Sequence, residues 1–171
     1  MKRKILELIL IIITFVLQCT LYRVIALGGI VPNLLILLTS SFGFIRGRRE
    51  GMFVGFFAGL FTDLLFGNGV LGLYMLIYIW IGYLNGLFSR LFYPDDLKYP
   101  VLLIGISDLI FGFVSYVLTF LLRSRLSFTY YFTRIMLPEL VYTIVATLLL
   151  YRFILSFETA LSDREEVSEE E

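Results

Sequence analysis

Residues 48–63 read Arg48-Arg49-Glu50-Gly51-Met52-Phe53-Val54-Gly55-Phe56-Phe57-Ala58-Gly59-Leu60-Phe61-Thr62-Asp63. Gly51, Gly55 and Gly59 recur every four residues and Asp63 continues the step, so on a helix all four share one face. Small residues at this spacing let a second backbone come close, a common way for helices to pack inside a membrane. The basic start followed by an apolar run predicts a helix that enters a bilayer from the side where Lys and Arg collect. Spacing alone leaves open whether the helix that fills the groove belongs to this chain or to a partner.

Outward from this stretch the composition agrees. Of 171 residues, 59% are hydrophobic and 16% charged, with a mean hydropathy of +0.91. Soluble domains average about 45 to 50% apolar, so a water-soluble globule is excluded. The formal net charge of zero hides an asymmetry: residues 158–171 hold seven of the fourteen acids and one base, Arg164, leaving 1–157 with a net of +6. This predicts a basic membrane domain over 1–157 and a solvated acidic cytoplasmic tail over 158–171, with the lipid bilayer rather than nucleic acid as its environment.

Histidine is absent and Cys19 is the single cysteine, which removes Cys/His zinc sites, disulfides and imidazole bases. The only lysines are Lys2, Lys4 and Lys98. No enzyme activity, metal or cofactor is expected from this inventory.

About six membrane spans are predicted, near residues 5–22, 31–45, 51–66, 70–88, 101–122 and 135–157. The first follows Met1-Lys2-Arg3-Lys4 and lacks a small-residue cleavage site, so it reads as an uncleaved helix. Pro32 suits the first turn of the second helix, where its missing N–H has no partner to lose. The second and third spans are short for a bilayer and read equally well as a tight helical hairpin. Gly67-Asn68-Gly69 and Tyr93-Pro94-Asp95-Asp96 are turns. With the N-terminus inside, ten Lys and Arg fall on the cytoplasmic side. Arg23, Arg123, Arg125 and Arg134 fall outside. This places both termini in the cytoplasm of a multi-pass protein.

Leaving aside Glu7 in the first turn of the first span, three acids lie within or near the ends of spans: Asp63, Asp108 and Glu139. A charge at the bilayer centre costs roughly 2.5 to 3.5 kcal/mol on insertion scales, so each is a functional candidate by default. Asp63 and Glu139 fall near helix ends, within reach of water or Arg134. Asp108 is deeper, with no base at its level and Ser, Thr, Tyr or Asn as its expected partners. Gly105, Asp108, Gly112 and Ser115 share a face of the fifth helix, and Gly82, Asn85 and Gly86 lie in the fourth. Structural hydrogen bonding is the leading reading, with polar groups turned inward and most Phe and Tyr turned to lipid or its interfaces.

The order of these features is also specific. Pro32-Asn33-Leu34, Arg48-Arg49-Glu50-Gly51, Gly55-Phe56-Phe57-Ala58-Gly59-Leu60, Asp63-Leu64, Leu71-Gly72 and Tyr78 together resemble the rod shape-determining protein MreD family over about 32–86. The resemblance implies an all-α polytopic membrane bundle, similar in fold to the substrate-capture subunits of energy-coupling-factor vitamin transporters. It implies a non-enzymatic scaffold of the bacterial elongation complex in the inner membrane, beside an MreC-like bitopic protein. MreB-like filaments and wall-synthesis enzymes would be reached indirectly. Pro32, Arg49, Gly51, Gly55, Gly59, Asp63 and Gly72 would then shape the bundle and a docking face. Asp108 joins them as a packing or docking candidate on its own spacing. The runner-up is a transporter capture subunit, which predicts a solute pocket near the outer face lined by polar or aromatic groups.

Overall fold

The computed structural model describes residues 2–24, 30–66, 72–92, 96–119 and 128–169. Most of these are helical, with no strand element among them. The helices are α1 (Lys2–Val24), α2 (Leu34–Arg46), α3 (Arg48–Phe66), α4 (Leu73–Phe88) and α5 (Lys98–Thr119). A last helix, α6, starts as Phe128–Tyr131, widens into a π-helical turn at Phe132–Met136 and continues as Leu137–Glu169.

The bundle is organised around α2. Leu34 through Phe44 are all buried, polar Thr39, Ser40 and Ser41 included, and a helix that is apolar nearly all round belongs in an interior. At 13 residues it is about 20 Å long, short of the roughly 30 Å hydrocarbon thickness. Because its neighbours enclose it, that shortfall exposes no backbone to lipid. The hairpin reading of the second and third spans fits, for only Gly47 separates α2 from α3. Gly47 adopts φ +96°, which glycine reaches without a Cβ penalty, and its N–H bonds the Gly43 carbonyl at 2.8 Å.

The peripheral helices each turn one stripe inward. On α1 the buried stripe is Glu7, Ile11, Phe15 and Gln18, while Ile5, Ile13 and Val16 face outward. On α6 the inward stripe is Thr143, Thr147, Tyr151, Ile154 and Glu158. The outer surface carries Leu76, Trp80, Leu102, Phe113, Leu149 and Phe153, an apolar exterior suited to lipid rather than water. Among the described residues, three helices are long and apolar enough to cross a membrane, at Lys4–Tyr22, Lys98–Val117 and Phe128–Ser162, and two shorter apolar ones are Leu34–Arg46 and Leu73–Phe88.

Several sequence expectations shift. Pro32 precedes α2 instead of opening it. Asn33 is the N-cap, accepting from Ile36 N at 3.2 Å, because a side-chain acceptor there satisfies an end amide that proline cannot. Arg48 and Arg49, just ahead of the span drawn at 51–66, lie in the first turn of α3. Arg134 is part of α6, since Pro138 follows the π turn. Proline lacks an N–H and crowds the carbonyl four residues back, and the wider turn just before it, where Leu137 N bonds Phe132 O, makes room. Phe15, Phe42, Phe44, Tyr78 and Tyr151 are core residues rather than lipid-facing ones. The helix α6 runs across the 157/158 boundary drawn on composition. The turns expected at 67–69 and 93–95, and Arg123 and Arg125, lie outside the described residues; Asp96 accepts from Lys98 N at 3.2 Å at the head of α5.

Candidate functional site

Three groups of residues hold the bundle, and each is built from positions singled out above or from neighbours they require. The first is the seam between α3 and α4. A methyl placed on Gly51 would lie 2.7 Å from Gly43 Cα and overlap the Gly82 carbonyl. On Gly55 it would lie 2.7 Å from the Tyr78 carbonyl carbon, and on Gly59 2.7 Å from Met75 N. The α3 stripe thus rests directly on α4 backbone, and α4 answers with Gly82 and Gly86, the latter against Gly47 and Arg48. The groove left open by the sequence is filled from within the chain.

Asp63 closes that seam at its far end. Its Oδ2 accepts from Gly72 N at 3.1 Å and Met75 N at 2.9 Å, and its Oδ1 from Tyr74 N at 3.1 Å. Asp63 is 3% exposed. A carboxylate on one helix therefore caps the N-terminus of the next, where unpaired amides and the helix dipole both favour negative charge. Gly72, at φ +96°, supplies the left-handed residue that turns the chain into α4. Glycine is the residue for which that conformation is cheap.

The second group surrounds the N-terminus of α2. Gln18 of α1 donates to Pro32 O at 3.0 Å and accepts from Leu34 N at 2.7 Å. Asn33 N donates to Thr143 Oγ1 at 3.0 Å, and Asn33 Oδ1 also accepts from Tyr78 Oη at 3.4 Å. The Asp108 carboxyl meets the side chains of Thr143 and Asn33, and Glu139 meets that of Asn33. Asp108 thus lies beside Asn and Thr side chains. Glu139 reaches the same hub rather than Arg134, because α6 is already helical at that level. Deeper in the bundle, Asn85 donates to Ser40 Oγ at 3.3 Å and Ser107 Oγ at 2.7 Å, tying α4 to α2 and α5. Beside the α2 hub lies a cavity of about 300 Å³ walled by α1 through α6.

The third group gathers chain ends. Lys4 bridges Glu7, at 2.9 Å, and Glu50, and Arg46 Nε lies 2.7 Å from Glu158 Oε2. The start of α1, the α2–α3 turn and the α6 segment near residue 158 therefore meet at one end of the bundle. Glu158 is 2% exposed and Arg46 partly buried. Removing one partner of a buried pair strands the other's charge. Arg46→Ala is expected to destabilise the protein by about 2 kcal/mol, discounted from the fully buried figure because Arg46 retains some solvent. A thermal melt in detergent checks this, and Arg46→Lys recovers part of the loss.

Compared with known protein families, residues 1–159 match the rod shape-determining protein MreD. The chain belongs to the MreD family. Membership assigns it to rod shape determination, in a family of structural membrane proteins associated with the shape-determining complex, which implies protein partners. No curated protein and no solved structure was found to match the chain.

For this MreD-family chain, Pro32, Gly51, Gly55, Gly59, Asp63, Gly72 and Asp108 are all within or beside the bundle's contacts, whereas Arg49 is exposed in the first turn of α3. The reading from sequence missed Gln18, Asn33 and Thr143 as a hub and Glu7 and Glu158 as buried acids. Asn33 directly before an apolar run is an N-cap signature that could have flagged the hub. Glu158 had no local signal, since its partner Arg46 is distant in sequence, whereas Glu7 pairs with Lys4 one helical turn away.

Proposed function

We propose that this chain is a non-enzymatic scaffold of the bacterial elongation complex, embedded in the inner membrane and helping to organise lateral peptidoglycan synthesis. Its direct partner is an MreC-like bitopic protein, with MreB-like filaments and wall-synthesis enzymes reached through it. The family match over 1–159 carries this reading. The structure is consistent with it: the glycines and Asp63 are spent on internal contacts, so a partner meets outward apolar helix faces or the exposed basic turn at Arg48 and Arg49. Both termini are assigned to the cytoplasm. The ion pairs Lys4–Glu50 and Arg46–Glu158 support this by bringing the first and last helices to the basic end.

Affinity isolation of the full chain in mild detergent tests the scaffold role. A bitopic protein with a coiled coil and a periplasmic domain is expected to co-purify, and cells depleted of the chain to lose rod shape. Isolation without any wall-synthesis protein, together with unchanged shape on depletion, would overturn it. A reporter fused after Glu171 is expected to behave as cytoplasmic.

A further inference from the structure

The cavity beside the α2 hub has a lining that packing does not explain. Four tyrosines, Tyr22, Tyr74, Tyr78 and Tyr131, contribute to its wall, with Phe111 between Tyr74 and Tyr78 at ring distances of 5.9 and 5.3 Å. Ser115 also lines it. That residue is 8% exposed and its Oγ has no hydrogen-bond partner in the structure. Glu139 lines the wall too, and just behind the hub Asp108 keeps one buried oxygen, Oδ1, without a partner. Buried polar atoms left in this state cost free energy unless something completes them.

The ionisable side chains of this region are acids and tyrosines. Asp108 and Glu139 lie together, and no Lys or Arg is among the described residues that line the cavity. Tyrosine faces are the electron-rich surfaces that attract organic cations. The π turn at Phe132–Met136 sits where α6 delivers Tyr131, Ile135 and Glu139 to the same wall. The four-residue steps between them keep the three on one face, and π turns are frequent at functional positions. A volume of about 300 Å³ is at the small end of ligand sites.

We propose that this cavity binds an ammonium group, held by Glu139 and Ser115 and faced by the tyrosine rings, at the end of the bundle opposite the Arg46–Glu158 pair. Two sources carry that chemistry, the headgroup of an ethanolamine phospholipid and a small free amine. The inference stands apart from the scaffold reading, because it is tested on the isolated chain.

The test uses the full chain in a neutral sugar detergent, stripped of lipid, with melting temperature as the readout. The probes are a short-chain phosphatidylethanolamine, the matching phosphatidylglycerol, tyramine, and its uncharged analogue lacking the amine. The ethanolamine lipid or tyramine is expected to raise the melting temperature and the two controls that lack an amine to leave it unchanged. Stabilisation by the lipid alone assigns the site to a headgroup, and stabilisation by tyramine assigns it to a free amine. Glu139→Gln is expected to weaken binding about tenfold to a hundredfold while keeping the helical content. Should Glu139→Gln not fold, Tyr131→Leu and Ser115→Ala serve in its place, with weaker binding expected of both. No preference for the amine-bearing probes, or equal binding by the variants, would overturn the proposal and leave the cavity as a hydrated polar seam.

Discussion

Gly82→Leu is expected to prevent the protein from accumulating as a folded bundle. A side chain at residue 82 would overlap the Gly51 carbonyl and press on Met52 N, which is backbone on a helix that cannot retreat. Gly51 itself is held between Gly82 and Gly43. Ordinary overpacking costs about 1 to 3 kcal/mol because side chains give way. Here the obstruction is main chain, so α3 and α4 must separate along their length. The expected cost is about 4 kcal/mol or more, a large share of a typical stability. The check is a size-exclusion profile and melt in detergent. Gly51→Leu should behave alike. Gly105→Ala is the control: its Cβ would meet Leu140 Cδ1 at 3.5 Å, ordinary contact, and the helix gains up to about 1 kcal/mol of propensity. A folded, monodisperse Gly82→Leu protein would show that the α3–α4 seam is not the close contact described.

Asp63→Ala has the second largest expected effect, a loss of about 3 kcal/mol. Removing the carboxylate leaves the amides of Gly72, Tyr74 and Met75 without acceptors at a helix end that water reaches poorly. A charged acceptor is worth roughly 1.5 to 3 kcal/mol per bond, and loss of an N-cap alone about 1 kcal/mol. The three bonds share one group, so they do not add in full. Asp63→Asn keeps one oxygen but turns an N–H₂ toward an amide donor, and an intermediate loss of about 1 to 2 kcal/mol is expected. Hydrogen exchange adds a local readout: amides in the first turn of α4 should lose protection before those of α2. Equal stability of Asp63→Ala and the parent protein would remove Asp63 from the fold's supports.

These two expectations differ in how far sequence alone reaches them. The four-residue recurrence of Gly51, Gly55 and Gly59 announces a close helix contact, because helical periodicity fixes which residues share a face. It is silent on the partner, which turns out to be α4 with Gly82 and Gly86. Asp63 stands on that face and invites a reading as an intramembrane acid. That it caps a different helix depends on where α4 begins relative to α3. Asp108 was placed among polar neighbours by elimination, as no base lies at its depth, and Asn33 and Thr143 fill that role.

The chain's composition and periodicity determined that it is an all-helical, membrane-type bundle, that α3 carries a close-contact face, and that its inventory holds no histidine or cysteine pair for the usual site chemistry. Those properties are local, because hydropathy and i, i+4 spacing are set by neighbours along one helix. Only the tertiary structure decided that short α2 is the buried axis, that Arg46 reaches Glu158 across 112 positions of sequence, and that Gln18, Asn33, Asp108 and Glu139 meet beside one cavity. Those contacts depend on how helices cross and at what height, which no single stretch of sequence encodes. A buried polar group takes its meaning from the partner that satisfies it.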